Sequence, residues 1–162
     1  MILLLFLLNF AHAPSGNRDE LEDAVCTEMN ISEHNLRVAC QIERAARDNG
    51  IKNREFIKGL LINAFAESSL DPNAVSPGKK SFGVFQLHID GMGYGMTRNE
   101  MKDVRTSSKV IIEFINSNKI KTDRLSAAES TRVICKKVLR PANKDEKSIE
   151  RIKMLKKLFK NS

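Results

Sequence analysis

The sequence predicts an α+β fold that is predominantly helical, with helices around one loop segment that contains a small β-hairpin. Apolar residues recur at three- and four-residue spacing in most of the chain after residue 31, which is the period of amphipathic helices. The exception is residues 70–98, which hold five of the eight glycines and two of the four prolines. A length of 162 residues suits one domain with a substantial core.

The helical period and the capping residues predict five main helices, over residues 32–48, 53–68, 107–117, 126–138 and 144–160. Ser32 and Asn53 are suitable N-cap residues, and Ser126 forms a capping box with Glu129. The second helix has the widest apolar stripe, so we expect it to be the most buried. In the last helix, the residues expected to point inward are Ile149, Ile152, Leu155 and Phe159.

Two segments lie outside these helices. Residues 19–28 are acidic and predict one or two helical turns. Residues 70–98 predict a structured loop with short strands around Phe82–Leu87. Long loops inside compact domains are usually functional, so this segment is where we look for a site.

The chain carries a net charge of +7, from 27 basic and 20 acidic residues. A positive field raises the local concentration of any polyanion. The charge therefore indicates an acidic partner, such as nucleic acid, an anionic lipid surface or a bacterial wall polymer, and does not choose among them.

The first 13 residues contain an apolar run followed by Ala11-His-Ala13. The run is too short to span a bilayer, which needs roughly 20 residues, and it matches the core of a signal peptide. The alternative is a truncated start or a short membrane-associating tail, since no basic residue precedes the run. We expect residues 14–31 to be an N-terminal extension and residues 32–162 to be the functional domain.

The three cysteines, Cys26, Cys40 and Cys135, have no metal-ligand spacing. One pair can form a disulfide and leave one thiol, or all three can be small buried hydrophobic residues. The three histidines are dispersed, and no glycine loop has a phosphate-binding context. We therefore expect no metal and no cofactor.

Glu67 is the leading candidate for catalysis. It lies on the last turn of the most apolar helix, directly after Ala64-Phe65-Ala66. Apolar walls disfavour the charged form of a carboxyl group, and a group that keeps its proton can act as a general acid. The alternative is that Glu67 simply ends the helix in solvent.

The order of residues after Glu67 resembles the signature of lytic transglycosylases and goose-type lysozymes. In those families a Glu-Ser pair leads to Asn-Pro-x-Ala-x-Ser and then to Gly-Leu-Met-Gln. This chain has Glu67-Ser-Ser-Leu-Asp-Pro-Asn-Ala-Val-Ser76, then Gly83-Val-Phe-Gln86. The Glu-to-Ser spacing agrees, and Gln86 comes about one residue late. The resemblance covers about residues 32–118 and implies a lysozyme-like fold.

The resemblance implies a role for each matched residue. Glu67 would protonate the leaving oxygen and then act as a base, and Ser76 would orient its carboxyl group or the substrate's acetamido group. Gly83 would allow the backbone to approach a sugar, and Gln86 would contact the sugar beside the scissile bond. The alternative is that Ser76 and Gly83 are turn residues and Gln86 a surface amide. Tyr94 is a candidate for stacking on a sugar ring.

The chain also departs from the family pattern. Leu87-His88-Ile89-Asp90-Gly91 replaces the usual Pro-x-Thr-Ala, and the later Ala-Tyr-Asn element is missing. Leu139-Arg140-Pro141 resembles the Glu-Arg-Pro ending of some phage tail-associated lysozymes. The far wall of the expected cleft therefore has to differ from that of the family.

The expected function is cleavage of peptidoglycan between N-acetylmuramic acid and N-acetylglucosamine, as a lytic transglycosylase with one catalytic Glu. A water-using muramidase with Asp90 as second carboxylate is an alternative, since ordinary glycosidases need two carboxylates. Others are a non-catalytic protein that binds the wall or belongs to a virion, and a nucleic-acid binder using the Lys144–Lys160 helix. We expect glycan strands as partner, no nucleic acid, no membrane span, and a secreted, periplasmic, wall or virion location.

Overall fold

The computed structural model describes residues 24–159. The export signal predicted for residues 1–13 lies outside the described residues, as does the acidic segment up to residue 23. Within residues 24–159 the α-helices are α1 (Glu33–Asp48), α2 (Arg54–Ser68), α3 (Arg98–Lys102), α4 (Val104–Ser117), α5 (Ala127–Val133) and α6 (Lys144–Leu158). A 3-10 turn at Val25–Glu28 precedes α1, and a π-helical segment at Ile134–Leu139 follows α5. The two strands, β1 (Ser81–Phe82) and β2 (Leu87–His88), lie between α2 and α3.

The predicted α+β class with mainly helical content is confirmed. The two strands form an antiparallel hairpin in which Ser81 pairs with His88 and Phe82 with Leu87. This hairpin lies in the expected part of the glycine-rich segment. The other elements of regular structure among the described residues are helical.

Helix α2 is the most buried element, as its apolar stripe predicted. Every residue from Phe56 to Ala64 is buried. The helix packs most extensively against α5 and also contacts α6 and the 3-10 turn. Gly59 allows the close approach to α5, because a Cβ atom there would lie 2.7 Å from Ser130 Cβ and 2.7 Å from the Thr131 nitrogen.

The helix starts predicted from the capping residues Ser32, Asn53 and Ser126 are confirmed. Ser32 accepts a hydrogen bond from the Asn35 nitrogen, and Asn53 accepts one from the Glu55 nitrogen. Ser126 and Glu129 form the reciprocal capping box. These signals are local in sequence, so they can be recognised without tertiary information.

The start of α4 and the whole of α3 were not predicted. Helix α3 is one short turn with its own capping box between Thr97 and Glu100. Asp103 ends it and also caps α4, accepting a hydrogen bond from the Thr106 nitrogen at 2.8 Å. The helix therefore begins at Val104, three residues before the predicted start.

The orientation predicted for the last helix is partly wrong. Leu155 and Phe159 are buried as expected, but Ile149 is 55% exposed. Ser148 and Arg151 are buried in its place. The reason is that Arg151 has buried polar partners on α2, which a hydrophobic periodicity cannot reveal.

The described part of the N-terminal extension packs into the domain. Val25, Cys26 and Met29 belong to the core. The buried carboxylate of Glu43 accepts hydrogen bonds from the backbone nitrogens of Val25 and Cys26, at 3.0 and 2.7 Å. Met29 forms an isolated bridge with Phe159 at the other end of the described chain.

Of the two alternatives for the cysteines, the structure has one disulfide and one thiol. Cys26 and Cys40 are bonded, which links the 3-10 turn to α1. Cys135 is free and buried, and its burial raises the pKa of the thiol. In the described part of the chain, no helix combines the length and the apolar character needed to cross a bilayer.

The Gly59→Ala variant tests the close packing of α2 on α5. Alanine favours a helix over glycine by about 1 kcal/mol, yet here its methyl group meets backbone and Cβ atoms of α5. We expect the free energy of unfolding to fall by about 2 kcal/mol, as for overpacked cores. Urea denaturation followed by circular dichroism measures it.

Gly78→Ala is the matched control, because Gly78 is exposed and a Cβ atom there would have no neighbour within 4 Å. The free energy of unfolding of this variant should differ from that of the wild type by less than about 0.5 kcal/mol. Equal stability of the two variants would show that the helices are further apart than described.

Counting thiols tests the disulfide. In denaturant without a reductant, N-ethylmaleimide should modify one cysteine, because Cys26 and Cys40 are bonded and Cys135 is free. After reduction, all three cysteines should react. Intact-mass spectrometry gives the number of adducts, and three adducts before reduction would contradict the pairing.

Candidate active site

Glu67 lies on the last turn of α2, and its side chain is 20% exposed. Its Oε1 accepts a hydrogen bond from Nη2 of Arg151 on α6, at 2.5 Å. This corrects the expectation of purely apolar walls, because the carboxyl group has a buried guanidinium as its partner. The contact also shows that Glu67 does not end the helix free in solvent.

Arg151 is in turn held by Asn63, one turn earlier on α2. Its Nη1 donates to Asn63 Oδ1 at 2.6 Å. The amide nitrogen of Asn63 donates to the carbonyl oxygens of Gly59 and Thr131, at 2.7 and 3.1 Å. One chain of hydrogen bonds therefore links α2, α5 and α6, and it fixes the position of the Glu67 carboxyl group.

The other carboxyl oxygen of Glu67, Oε2, is not engaged. No described residue forms a hydrogen bond to it, and it is not among the buried polar atoms without a partner. Glu67 is one of the residues that line a groove of about 520 Å³. One oxygen is thus held by the protein while the other can meet a ligand.

The groove beside Glu67 combines apolar and polar side chains. Its lining residues are Glu67, Phe85, Gln86, His88, Gly91, Met92, Phe114, Val138, Leu139 and Arg140. Sugars present apolar ring faces and polar hydroxyl edges, so a mixed lining of this kind suits them. Among the described residues that line it, Glu67 is the one carboxylate.

The structure brings Gln86 into the same groove as Glu67. Its amide nitrogen donates to the carbonyl oxygens of Gly83 and Ala74, at 3.0 and 3.2 Å, which leaves its amide oxygen available. Its backbone is in the left-handed region, with φ of 49°. Seven other described non-glycine residues share this conformation, so it does not by itself mark a functional site.

Ser68 joins the hairpin to the end of α2. Its hydroxyl donates to the carbonyl oxygen of Val84, which lies in the turn between β1 and β2, at 3.0 Å. The same hydroxyl lies 3.3 Å from the Ala64 carbonyl oxygen within the helix. The Glu-Ser pair of the motif therefore has a structural meaning: the serine fixes the loop that carries Gln86 beside the glutamate.

Ser76 is held within the loop. Its hydroxyl oxygen accepts hydrogen bonds from the backbone nitrogens of Lys80 and Ser81, at 3.2 and 3.0 Å. It forms no hydrogen bond to Glu67, and it does not line the groove. In this structure it shapes the turn before β1, and the predicted contact with substrate stays a prediction.

Gly83 has a different neighbour from the one the motif implies. It is buried, with φ of +78°, and a Cβ atom there would lie 2.1 Å from the Met101 carbonyl oxygen. The close approach that requires glycine is thus made to α3. The expected approach of the Gly83 backbone to a sugar stays a prediction.

Asp90 and Tyr94 are not brought into the groove. The Tyr94 side chain is 83% exposed. Asp90 is also exposed, and its Oδ2 lies 3.8 Å from Nδ1 of His88. Two other residues of this loop, Gly91 and Met92, line the groove instead.

Sequence reasoning missed the part played by Asn63 and Arg151. An asparagine between Ile62 and Ala64 in the most apolar helix was a usable signal, because a buried amide needs partners. The identity of its partner is not visible in the sequence, since Arg151 is 88 residues away.

Comparison of the chain with protein-family models, with curated proteins and with solved structures gave no match.

Replacing Arg151 tests the chain of hydrogen bonds. Arg151→Met keeps most of the side-chain volume but leaves the Glu67 carboxylate and the Asn63 amide oxygen without their partner. Removing one partner of a buried ion pair typically lowers the free energy of unfolding by about 3–5 kcal/mol. Because Glu67 is partly exposed, we expect a loss of about 3 kcal/mol. Thermal and urea denaturation measure it.

Glu67→Gln is the comparison variant, because its amide oxygen can still accept a hydrogen bond from Arg151. It should lose clearly less stability than Arg151→Met. Wild-type stability of Arg151→Met would mean that the contact is not formed in solution.

Proposed function

We propose that the protein is a lysozyme-like enzyme that cleaves the β-1,4 bond between N-acetylmuramic acid and N-acetylglucosamine in peptidoglycan. The observation that carries the proposal is the position of Glu67: one of its oxygens is held by Arg151, and the other is available in a groove that also contains Gln86. The order of residues from Glu67 to Gln86 supports the same assignment.

Glu67 is the general acid in this proposal. A proton on Oε2 is transferred to the glycosidic oxygen as the bond between the sugars breaks. Arg151 stabilises the carboxylate that this transfer produces, and it does so without moving, because Asn63 already holds it. Arg151 and Asn63 are therefore positioning residues.

A groove with one carboxylate favours the transglycosylase route. Retaining and inverting glycosidases that use two carboxylates need them at roughly 5 to 9.5 Å from each other across the scissile bond. Here the nucleophile is the acetamido oxygen of the substrate, which bonds to the anomeric carbon as the leaving oxygen departs. Glu67 then takes the proton of the C6 hydroxyl, whose oxygen displaces the acetamido oxygen and closes a 1,6-anhydro ring.

The muramidase alternative needs a second carboxylate to activate water. Asp90 was the candidate, and its exposed position outside the groove argues against it. The non-catalytic alternative, a wall-binding or virion protein, shares the groove but gives Glu67 no chemical role. The two experiments below separate these three possibilities.

The disulfide supports a location outside the reducing cytosol. Disulfides persist in secreted, periplasmic and surface proteins, where thiols are not kept reduced. The bond between Cys26 and Cys40 is consistent with a protein that meets peptidoglycan in the periplasm, at the wall or in a virion. The net charge of +7 would hold it near anionic wall polymers.

Glu67→Gln tests the enzyme. We expect wild type to clear a suspension of purified peptidoglycan and the variant to be slower by about 100-fold or more, because loss of a general acid typically costs 10²–10⁴-fold. Glu113→Gln is the matched control: Glu113 lies exposed on α4, and its replacement changes the net charge equally.

An inert wild type would favour the non-catalytic alternative. Equal activity of the wild type and Glu67→Gln would mean that another group is the acid.

Mass spectrometry of the released fragments tests the route. Transglycosylation leaves 1,6-anhydro ends and consumes no water, so the fragment that carries the cleaved N-acetylmuramic acid is lighter by one water molecule than its hydrolytic counterpart. We expect anhydro ends at every cut. Reducing ends would replace the transglycosylase by a muramidase and would require a second catalytic group.

A further inference from the structure

A second groove lies beside the one that contains Glu67. It has a volume of about 650 Å³, and it shares two lining residues with the first groove, Phe114 and Arg140. Its other lining residues are Asn118, Lys119, Ile120, Lys121, Leu125, Val133, Lys136 and Lys137. We call it the basic groove. A ligand long enough to fill both grooves would pass over Phe114 and Arg140.

The basic groove concentrates positive charge. Five of its lining residues are cationic and none is acidic; the cations are Lys119, Lys121, Lys136, Lys137 and Arg140. Lys136 is paired with Asp145. Across residues 24–159, Lys119, Lys121 and Lys137 make no ion pair. Three lysines are thus left to meet the carboxylates or phosphates of a ligand.

Arg140 is fixed at the junction of the two grooves. Its Nε donates to the carbonyl oxygen of Lys137 at 2.9 Å, and its guanidinium lies 5.5 Å from the centre of the Phe114 ring. Its backbone is left-handed, with φ of 48°, directly after the π-helical segment. Single π-helical turns of this kind occur frequently at functional sites. The arginine therefore presents its charge in a defined direction.

The floor between the lysines is apolar and partly buried. It consists of Phe114, Ile120, Leu125 and Val133. Nucleic-acid strands are bound by aromatic surfaces on which bases stack, and here Arg140 covers the one aromatic ring. A peptide with aliphatic side chains and free carboxylates matches this combination of floor and rim.

We propose that the basic groove binds the carboxylate-bearing peptide stems of the glycan strand whose sugars occupy the groove at Glu67. The inference rests on the proposed function for the identity of the strand. What it adds is that the stem is recognised in a groove separate from the one where the glycosidic bond is cleaved. Recognition of the stem depends on Lys119, Lys121 and Lys137, with Arg140 at the junction of the two grooves.

Binding is measured with soluble glycan strands that carry their peptide stems, and with the same strands after an amidase has removed the stems. Protein with Glu67→Gln is used throughout, to prevent cleavage during the titration. We expect stem-bearing strands to bind about tenfold more tightly at low salt, since several partly exposed charge pairs contribute together.

The decisive variant is the triple replacement Lys119→Gln, Lys121→Gln and Lys137→Gln, made in the Glu67→Gln protein. It should lose the preference for stem-bearing strands and bind both kinds equally. The matched control replaces Lys52, Lys153 and Lys156 by glutamine, which are exposed and line neither groove. It changes the net charge equally and should keep most of the preference.

Three results would overturn the inference. The first is equal binding of both kinds of strand by the Glu67→Gln protein. The second is an equal loss of the preference for stem-bearing strands in the two triple variants. The third is a DNA oligonucleotide that binds more tightly than stem-bearing strands and whose binding is abolished only in the first triple variant.

A parallel cleavage assay on both kinds of strand, with Glu67 intact, distinguishes this inference from the proposed function. Cleavage without a preference for stem-bearing strands in binding would support the proposed enzyme and overturn the stem-binding site. A lysine-dependent preference without cleavage would support the stem-binding site and would identify the protein as a wall-binding protein rather than an enzyme.

Discussion

The buried ion pair between Arg151 and Glu67 is the constraint on which the rest of the site depends. A guanidinium buried to this extent cannot be left unpaired, so α6 has to adopt the rotation that brings it to the end of α2. Exposure of Ile149 is the consequence on the opposite face. Buried ion pairs contribute little net stability compared with apolar packing of the same volume. Their effect here is to select one register of α6 against α2.

That register has consequences for the groove. Asn63 connects Arg151 to the backbone of α5 through the Thr131 carbonyl oxygen, so the helix that precedes the π-helical segment is tied to the carboxyl group as well. On the other side, Ser68 holds the hairpin turn against the end of α2. One wall of the groove comes from the hairpin and the other from residues 138–140. Hydrogen bonds therefore link both walls to the last two turns of α2.

The sequence was sufficient for three helix starts whose caps are local. The caps of Thr97 and Asp103 are equally local, but α3 is too short to show an apolar period, so they were missed. Capping by Ser32, Asn53 and Ser126 involves residues two or three positions apart, and the helix starts followed from it. It was insufficient where the determining interaction is distant. Gly83 was recognised as a position that needs glycine, but its neighbour, Met101, comes from a helix too short to predict. Burial of Arg151 was not predicted, because hydrophobic periodicity assumes that the buried face is apolar.

The same limit applies to the net charge of +7, which a sequence reports as one number. In the structure the charge is divided: the groove at Glu67 contains one carboxylate and one arginine, whereas the adjoining groove contains five cations and no acid. An anionic ligand requires the lysines of the adjoining groove, whereas the chemistry proposed for Glu67 uses the groove with one carboxylate. Placing them in adjoining grooves, with Arg140 between, lets one polymer meet both environments at once.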